Sequence, residues 1–343
     1  DIIEDYQAAL DAEVLFAGEK AETLKLIQGA IRLSAHILEE DKTQLAGQLW
    51  GRLLSFDLSE IREMLEVAKQ RQAALWLRPL TANLTPPGGA LLRTLSGHTE
   101  WVKAVAIAPD GKFAVSASED NTLKVWDLAT GRERQTLSGH TKSVTAVAIA
   151  PDGKFAVSAS DDNTLKVWDL SSGRERQTLS GHTYWVNAVA IAPDGKSAVS
   201  ASEDNTLKVW DLTTGRERQT LSGHTKSVIA VAIAPDGKFA VSASEDKTLK
   251  VWDLATGRER QTLSGHTNPV NAVAIAPDGK FAVSASNDHT LKVWDLSSGK
   301  EIATFAGDSA LGCCAIAPDG VTIVAGESSG KVHFLRLEGL TQQ

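Results

Sequence analysis

The sequence predicts a mainly β fold built by repetition, preceded by a short α-helical segment. Two observations carry this. Gly-His stands at 97–98, 139–140, 181–182, 223–224 and 265–266, and Trp-Asp at 126–127, 168–169, 210–211, 252–253 and 294–295, so a unit of 42 residues recurs five times. Inside each unit, apolar residues alternate and then meet turn residues, as in Val102 to Ala108 followed by Pro109-Asp110-Gly111. A period in the low forties carrying these two dipeptides marks a blade of a β-propeller.

The first 80 residues lack strand alternation and read as four helices, starting near residues 2, 21, 42 and 58. Thr23 to Glu40 places Leu24, Ile27 and Ile31 at helical spacing, with Leu26, Ala30 and Leu33 beside them. Such a wide apolar stripe is buried against other helices. Asp41 with Gln44, and Asp57 with Glu60, read as capping pairs. Leu45, Leu49 and Leu53 share one face of the third helix, and Ile61, Met64, Leu65 and Ala68 follow in the fourth. Residues 81–90 form a Pro/Gly linker that no helix can cross, with Trp76 and Leu80 tacked to a neighbouring surface just before it.

The repeat region covers 91–337, with blades starting near 97, 139, 181, 223, 265 and 307, and 338–343 left as a tail. In the first blade, strands are expected at Val102–Ala108, Lys112–Ser118, Thr122–Leu128 and Arg134–Leu137. Leu91–Leu95 precedes the first blade and is expected to complete the sixth, closing the ring and hiding its edges. Counting gives six blades of four strands, with seven as the alternative. The sixth copy has Asp308, Glu327, Ser329 and Leu335 where the others carry His, Ser, Asp and Trp. It is expected to stand on packing alone, through Ile316, Val324, Val332 and Phe334, as a terminal cap.

From Leu91 to about Leu337 the chain closely resembles the WD40 family. In that family a buried network links the Gly-His histidine, a serine, a turn aspartate and the tryptophan. By position the resemblance implies His98, Ser118, Asp120 and Trp126; His140, Ser160, Asp162 and Trp168; His182, Ser202, Asp204 and Trp210; His224, Ser244, Asp246 and Trp252; and His266, Ser286, Asp288 and Trp294. Ser116 lies two residues before Ser118 on the same face and competes for that place. A Ser, a His and an Asp together invite a protease reading. Five-fold recurrence and pairing of the Asp to the histidine favour a structural role instead. The segment IRLSAHILEEDKTQLAGQLWGRLL, with WLRPL and TPPGG, is similar to the region before the propeller in cyanobacterial-type proteins that join an NB-ARC or NACHT NTPase to WD40 repeats. That resemblance implies an NTPase core in cis. No G-x-x-x-x-G-K-[ST] loop occurs in the chain itself.

Composition narrows the function. The formal charge of −8, with acids and bases mixed, disfavours nucleic-acid binding. No apolar run approaches a membrane span. The first residue is Asp rather than Met, which points to a piece of a longer protein. The two cysteines, Cys313 and Cys314, are neighbours, which fits a reducing cytoplasm. No cofactor or metal is implied, because the histidines sit one per blade, too far apart to converge.

Where repeats are nearly identical, the positions that vary are informative. They are Glu100, Trp101 and Lys103; Lys142, Ser143 and Thr145; Tyr184, Trp185 and Asn187; Lys226, Ser227 and Ile229; and Asn268, Pro269 and Asn271. The residue before each turn aspartate varies too: Glu119, Asp161, Glu203, Glu245 and Asn287. The resemblance implies that both sets lie on the top face, where partner peptides dock. Two tryptophans and a tyrosine among charges suit a recognition patch. The sequence therefore predicts a non-catalytic scaffold or sensor module that binds a protein or peptide through Glu100, Trp101, Lys103, Lys142, Tyr184, Trp185, Asn187, Lys226, Asn268 and Asn271. The alternatives are drift on a tolerant surface, or an engineered or recently amplified scaffold without a specific ligand.

Overall fold

The computed structural model describes residues 19–40, 42–70, 84, 87–88 and 93–338. The chain divides into two compact units between Gly97 and His98.

The helical unit comprises α1 (Glu19–Glu40), a 3-10 turn (Lys42–Gln44), α2 (Leu45–Leu53) and α3 (Ser59–Gln70). These begin close to the expected starts near 21, 42 and 58. The start expected near residue 2, Asp41, Trp76 and Leu80 lie outside the described residues. Leu26, Ile27, Ala30 and Ile31 of α1 pack on Leu49, Trp50 and Leu53 of α2 and on Ile61 and Leu65 of α3. Leu45, expected to share that face, is exposed, and Ala46 takes the inward position one residue on. Arg52 is buried, and burial lowers its pKa. Its Nε donates to Ser34 Oγ at 3.0 Å and its Nη2 to the Leu33 carbonyl at 3.2 Å, which offsets desolvation of the guanidinium. Gly29 is needed where α1 meets Pro87, because a Cβ there would lie 2.9 Å from Pro87 Cβ.

In the second unit, β1 (Val102–Ile107), β2 (Phe113–Ser118), β3 (Thr122–Asp127) and β4 (Glu133–Ser138) form one antiparallel sheet in chain order. Strands β5–β8 (144–180), β9–β12 (186–222), β13–β16 (228–264) and β17–β20 (270–306) repeat it. The sixth sheet has three strands, β21 (Leu311–Ile316), β22 (Thr322–Glu327) and β23 (Val332–Arg336). The fold is therefore propeller-like and mainly β. Each Pro-Asp-Gly turn is closed locally: Asp110 Oδ1 accepts the Lys112 N–H at 3.0 Å, and Gly111 takes a φ of +69° that side-chain-bearing residues avoid. In the first and third interstrand pairings of each full blade a bulge shifts the register, as between Val102 and Ala104 and between Val125 and Trp126.

The core lies between blades. Val115, Ala117, Leu123, Val125 and Leu137 of the first blade pack on Val144, Val147, Ala156, Trp168 and Leu170 of the second. Equivalent residues build the following interfaces. Each blade thus carries one face for its predecessor and another for its successor. Among the described residues, the ends of the series are uncovered. Val102 is 54% exposed, whereas its equivalents Val144, Val186, Val228 and Val270 are wholly buried. Val332 and Phe334 hold the places of the buried Leu123 and Val125, yet Phe334 is 76% exposed.

Two expectations are corrected here. Among the described residues the sixth sheet has three strands, and of the strand expected at Leu91–Leu95 the described part, Arg93, Thr94 and Leu95, is in no strand; Leu91 and Leu92 lie outside the described residues. The sixth blade also does not rest on Val332 and Phe334, which face solvent, with no described strand covering them.

Candidate functional site

The repeated residues form one chain of hydrogen bonds per blade. In the third blade, His182 Nδ1 lies 2.7 Å from Asp204 Oδ2, His182 Nε2 lies 2.7 Å from Ser200 Oγ, and Trp210 Nε1 donates to Ser200 Oγ at 2.8 Å. The other four full blades repeat this through Ser116, Ser158, Ser242 and Ser284. The ionised aspartate only accepts, so the histidine donates from Nδ1; with the ring neutral, Nε2 accepts the serine hydrogen, and the serine oxygen accepts the tryptophan N–H. The ring is neutral in this arrangement. Burial lowers the pKa of His224 and His266 despite their aspartate partners. Burial raises the Asp120 pKa, but hydrogen bonds from Thr122, His98 and the Thr99 N–H prevail and hold it at about 2. Gly139 lets the indole approach: a Cβ there would lie 3.1 Å from Trp168.

The serine assignment is corrected. Ser118, Ser160, Ser202, Ser244 and Ser286 do not join histidine to tryptophan. They sit at the strand end and hold the two loops together. Ser118 Oγ donates to the Glu100 carbonyl at 3.2 Å and accepts the Asp120 N–H at 3.1 Å. The same pair of bonds ties Lys142 to Asp162, Tyr184 to Asp204, Lys226 to Asp246 and Asn268 to Asp288.

The Ser–His–Asp geometry matches that of a hydrolase triad, but its chemistry is shut off. Ser158, Ser200, Ser242 and Ser284 are wholly buried, and an indole N–H occupies the lone pair that would attack. Among the described residues no group of three His, Cys, Asp or Glu side chains stands together to hold a metal. Cys313 is exposed, whereas burial pushes the Cys314 thiol up to about 12. No described helix is long and apolar enough to cross a membrane.

The variable positions converge. The N–H of Glu119 bonds the Trp101 carbonyl at 2.9 Å, and Asp161, Glu203, Glu245 and Asn287 bond Ser143, Trp185, Ser227 and Pro269 in the same way. Both variable sets therefore form a single surface at the end of the strands that carries the Gly-His loops. The carboxylates sense one another across blades. Burial first, then Glu119 and Asp162, raise the Asp161 pKa against Lys103 and Lys142. Burial, Glu245 and Asp161 raise that of Glu203. Beside this acidic arc stand Trp101 at 74%, Tyr184 at 61% and Trp185 at 44% exposure, with Glu100, Lys142, Lys226 and Asn268 also exposed.

Three of the predicted contact residues are engaged inside the unit. Lys103 pairs with Glu119 at 3.0 Å. Asn187 Nδ2 donates to the Val228 carbonyl at 3.0 Å and Asn271 Nδ2 to the Leu311 carbonyl at 2.9 Å, each on the next blade. Thr145 Oγ1 does the same for Val186 at 2.5 Å. Asn187 and Asn271 thus tie blades together, a role that their place beside a strand bulge disguised.

In the sixth blade a substitute network is built around Glu327, which the sequence reading missed. Its Oε1 accepts the Asp308 N–H and faces His333 Nε2, both at 2.8 Å, and its Oε2 accepts the Ser329 hydroxyl at 2.6 Å. Bonds from Ser329 and His333 hold its carboxyl down at about 2. The available signal was a carboxylate at a buried position, which has to find donors.

The family pattern described as "WD domain, G-beta repeat" matches residues 89–127, 131–169, 173–211, 215–253 and 257–295. The chain belongs to the WD40 repeat family. It is 51% identical over 51 residues to "Nuclear distribution protein PAC1" of Scheffersomyces stipitis, covering 15% of this chain and 10% of that protein. It is 31% identical over 101 residues to "Pleiotropic regulator 1" of Mus musculus, covering 28% and 20%. The matched stretches thus span a fifth or less of the length of these relatives.

Proposed function

We propose that this chain is a non-catalytic protein-binding module that recognises a segment of a partner protein at the surface formed by the Gly-His loops. The observation that carries this reading is the exposure of Trp101, Tyr184 and Trp185 in repeats whose other positions hardly change. Exposed aromatics are the usual anchors of interfaces. The neighbouring acidic arc of Glu119, Asp161, Glu203 and Glu245 favours a segment bearing basic side chains. The helical segment's likeness to the region between an NTPase and a propeller supports a place in a larger cytoplasmic signalling protein, with the NTPase in cis.

The test is capture from native-host lysate by this chain and by a Trp101→Ser/Trp185→Ser variant. Serine already occupies both equivalent positions in the second and fourth blades, as Ser143 and Ser227. Capture of a protein that the variant loses is the expected result. Equal capture by both overturns the surface assignment and points to the helical unit. Near-identity of the five repeats favours a second reading, an amplified or engineered scaffold without a ligand, and capture by neither chain supports it.

A further inference from the structure

Four blades hold an internal arginine at the opposite end of the strands, between the Pro-Asp-Gly turn and the turn after Trp-Asp. Arg134 Nη2 bonds Asp127 Oδ2 at 2.5 Å, and Arg176, Arg218 and Arg260 repeat this on Asp169, Asp211 and Asp253 at 2.6, 2.6 and 2.7 Å. Nε of each arginine bonds the same oxygen. The fifth blade keeps the aspartate, Asp295, but has Ile302 in the arginine's place. Asp295 Oδ1 still accepts Ser297 Oγ, the Ser298 N–H and Ser298 Oγ at 2.6–2.7 Å. Among the described residues no cation pairs with its Oδ2.

The next position changes as well. Gln135, Gln177, Gln219 and Gln261 each donate to a leucine carbonyl of the following blade, whereas the fifth blade has Ala303 there. A cavity of about 1330 Å³ lies beside Asp295 and Ile302 and reaches Arg260 and Gln261 of the fourth blade on one side and Pro318 of the sixth on the other. Its apolar walls include Pro277, Phe281, Ile302 and Pro318, and Asp278, Asp295 and Asp319 line it against Lys280 and an Arg260 already paired to Asp253.

We infer that this cavity receives an arginine side chain from a peptide segment of a partner protein, which takes on Asp295 Oδ2 the place that Arg134, Arg176, Arg218 and Arg260 take in their own blades. The four internal copies supply the pattern of the missing group. A planar guanidinium presents Nε–H and Nη–H together to one carboxylate, which a lysine cannot do. Hydrogen bonds from Ser298 and Ser297 hold the Asp295 carboxyl at about 2, so it is ionised at neutral pH. The volume exceeds one side chain and suits apolar neighbours on either side of the arginine. This site lies at the other end of the blades from the Trp101–Trp185 surface and stands or falls independently of it.

The probe is acetyl-Val-Arg-Val-amide, followed through the methyl signals of Val321, which lines the cavity. Saturable binding is expected, weaker by about tenfold or more for the neutral citrulline analogue and for an Asp295→Asn protein. Asn keeps the Oδ1 acceptor for the serines, and melting curves check that the fold is intact. Ile302→Arg is expected to fill the site as the other blades do and abolish peptide binding without lowering the melting temperature. Equal binding of the arginine and citrulline peptides, binding of neither, or undiminished binding by Ile302→Arg overturns the inference. Acetyl-arginine-amide binding as tightly as the peptide would assign the cavity to a small guanidinium compound and overturn the peptide as occupant.

Discussion

Ser116 and Ser118 stand two residues apart on one face of β2, and the sequence could not choose between them because side chains on a strand repeat every second residue. The distance to the tryptophan decides. Ser116 is within 2.7 Å of both His98 Nε2 and Trp126 Nε1, whereas Ser118 lies at the strand end under the turn. The histidine, aspartate and tryptophan were legible because each stands beside a fixed dipeptide or turn. Asn187 and Asn271 looked like surface contacts because a bulge, invisible in the sequence, turns their amides towards the next blade. Ser200→Ala leaves His182 Nε2 and Trp210 Nε1 without their shared partner. It is expected to lower stability by about 1–3 kcal/mol for each stranded group, measured by urea unfolding. A loss below about 0.5 kcal/mol, typical of a surface change, would contradict the network.

At the scale of the blade, the hydrogen-bonded chain makes stability depend on pH. His224 and His266 have lowered pKa values, so the unfolded chain takes up protons that the folded one resists. Their contribution is complete above about 6.5 and declines as pH falls through that value. Asp120 and Asp288 stay ionised down to about 2, so a second decline begins below about 4, where unfolded aspartate protonates. Urea midpoints at about pH 7.5, 5.5 and 3.5 are expected to fall at each step. An unchanged midpoint between the first two would contradict the neutral histidines. The sixth blade shows what the repeat pattern alone could not reveal. Losing His, Ser, Asp and Trp did not leave it to packing, because Glu327 gathers Ser309, Ser329 and His333 into a polar cluster of its own.

Across the whole propeller unit, blade order and strand content were readable from the 42-residue period, but the meeting of the two ends was not. Closure is a tertiary property, and no local residue encodes it. The bare face of the first blade gives a direct comparison of equivalent residues. Val144→Ala, in a fully buried position, is expected to cost about 1–3 kcal/mol, and Val102→Ala less than about 0.5 kcal/mol. Equal costs in unfolding experiments would show that something covers the first blade in solution. The proposed function separates two sets of residues: those shared by the blades build the fold, and the exposed aromatics among those that differ, Trp101, Tyr184 and Trp185, are proposed to recognise the partner. The most direct test measures the melting temperature and partner capture of Trp101→Ser/Trp185→Ser together. The account predicts a melting temperature within about 2 °C of the parent and loss of capture. A large drop in melting temperature with capture retained would contradict it.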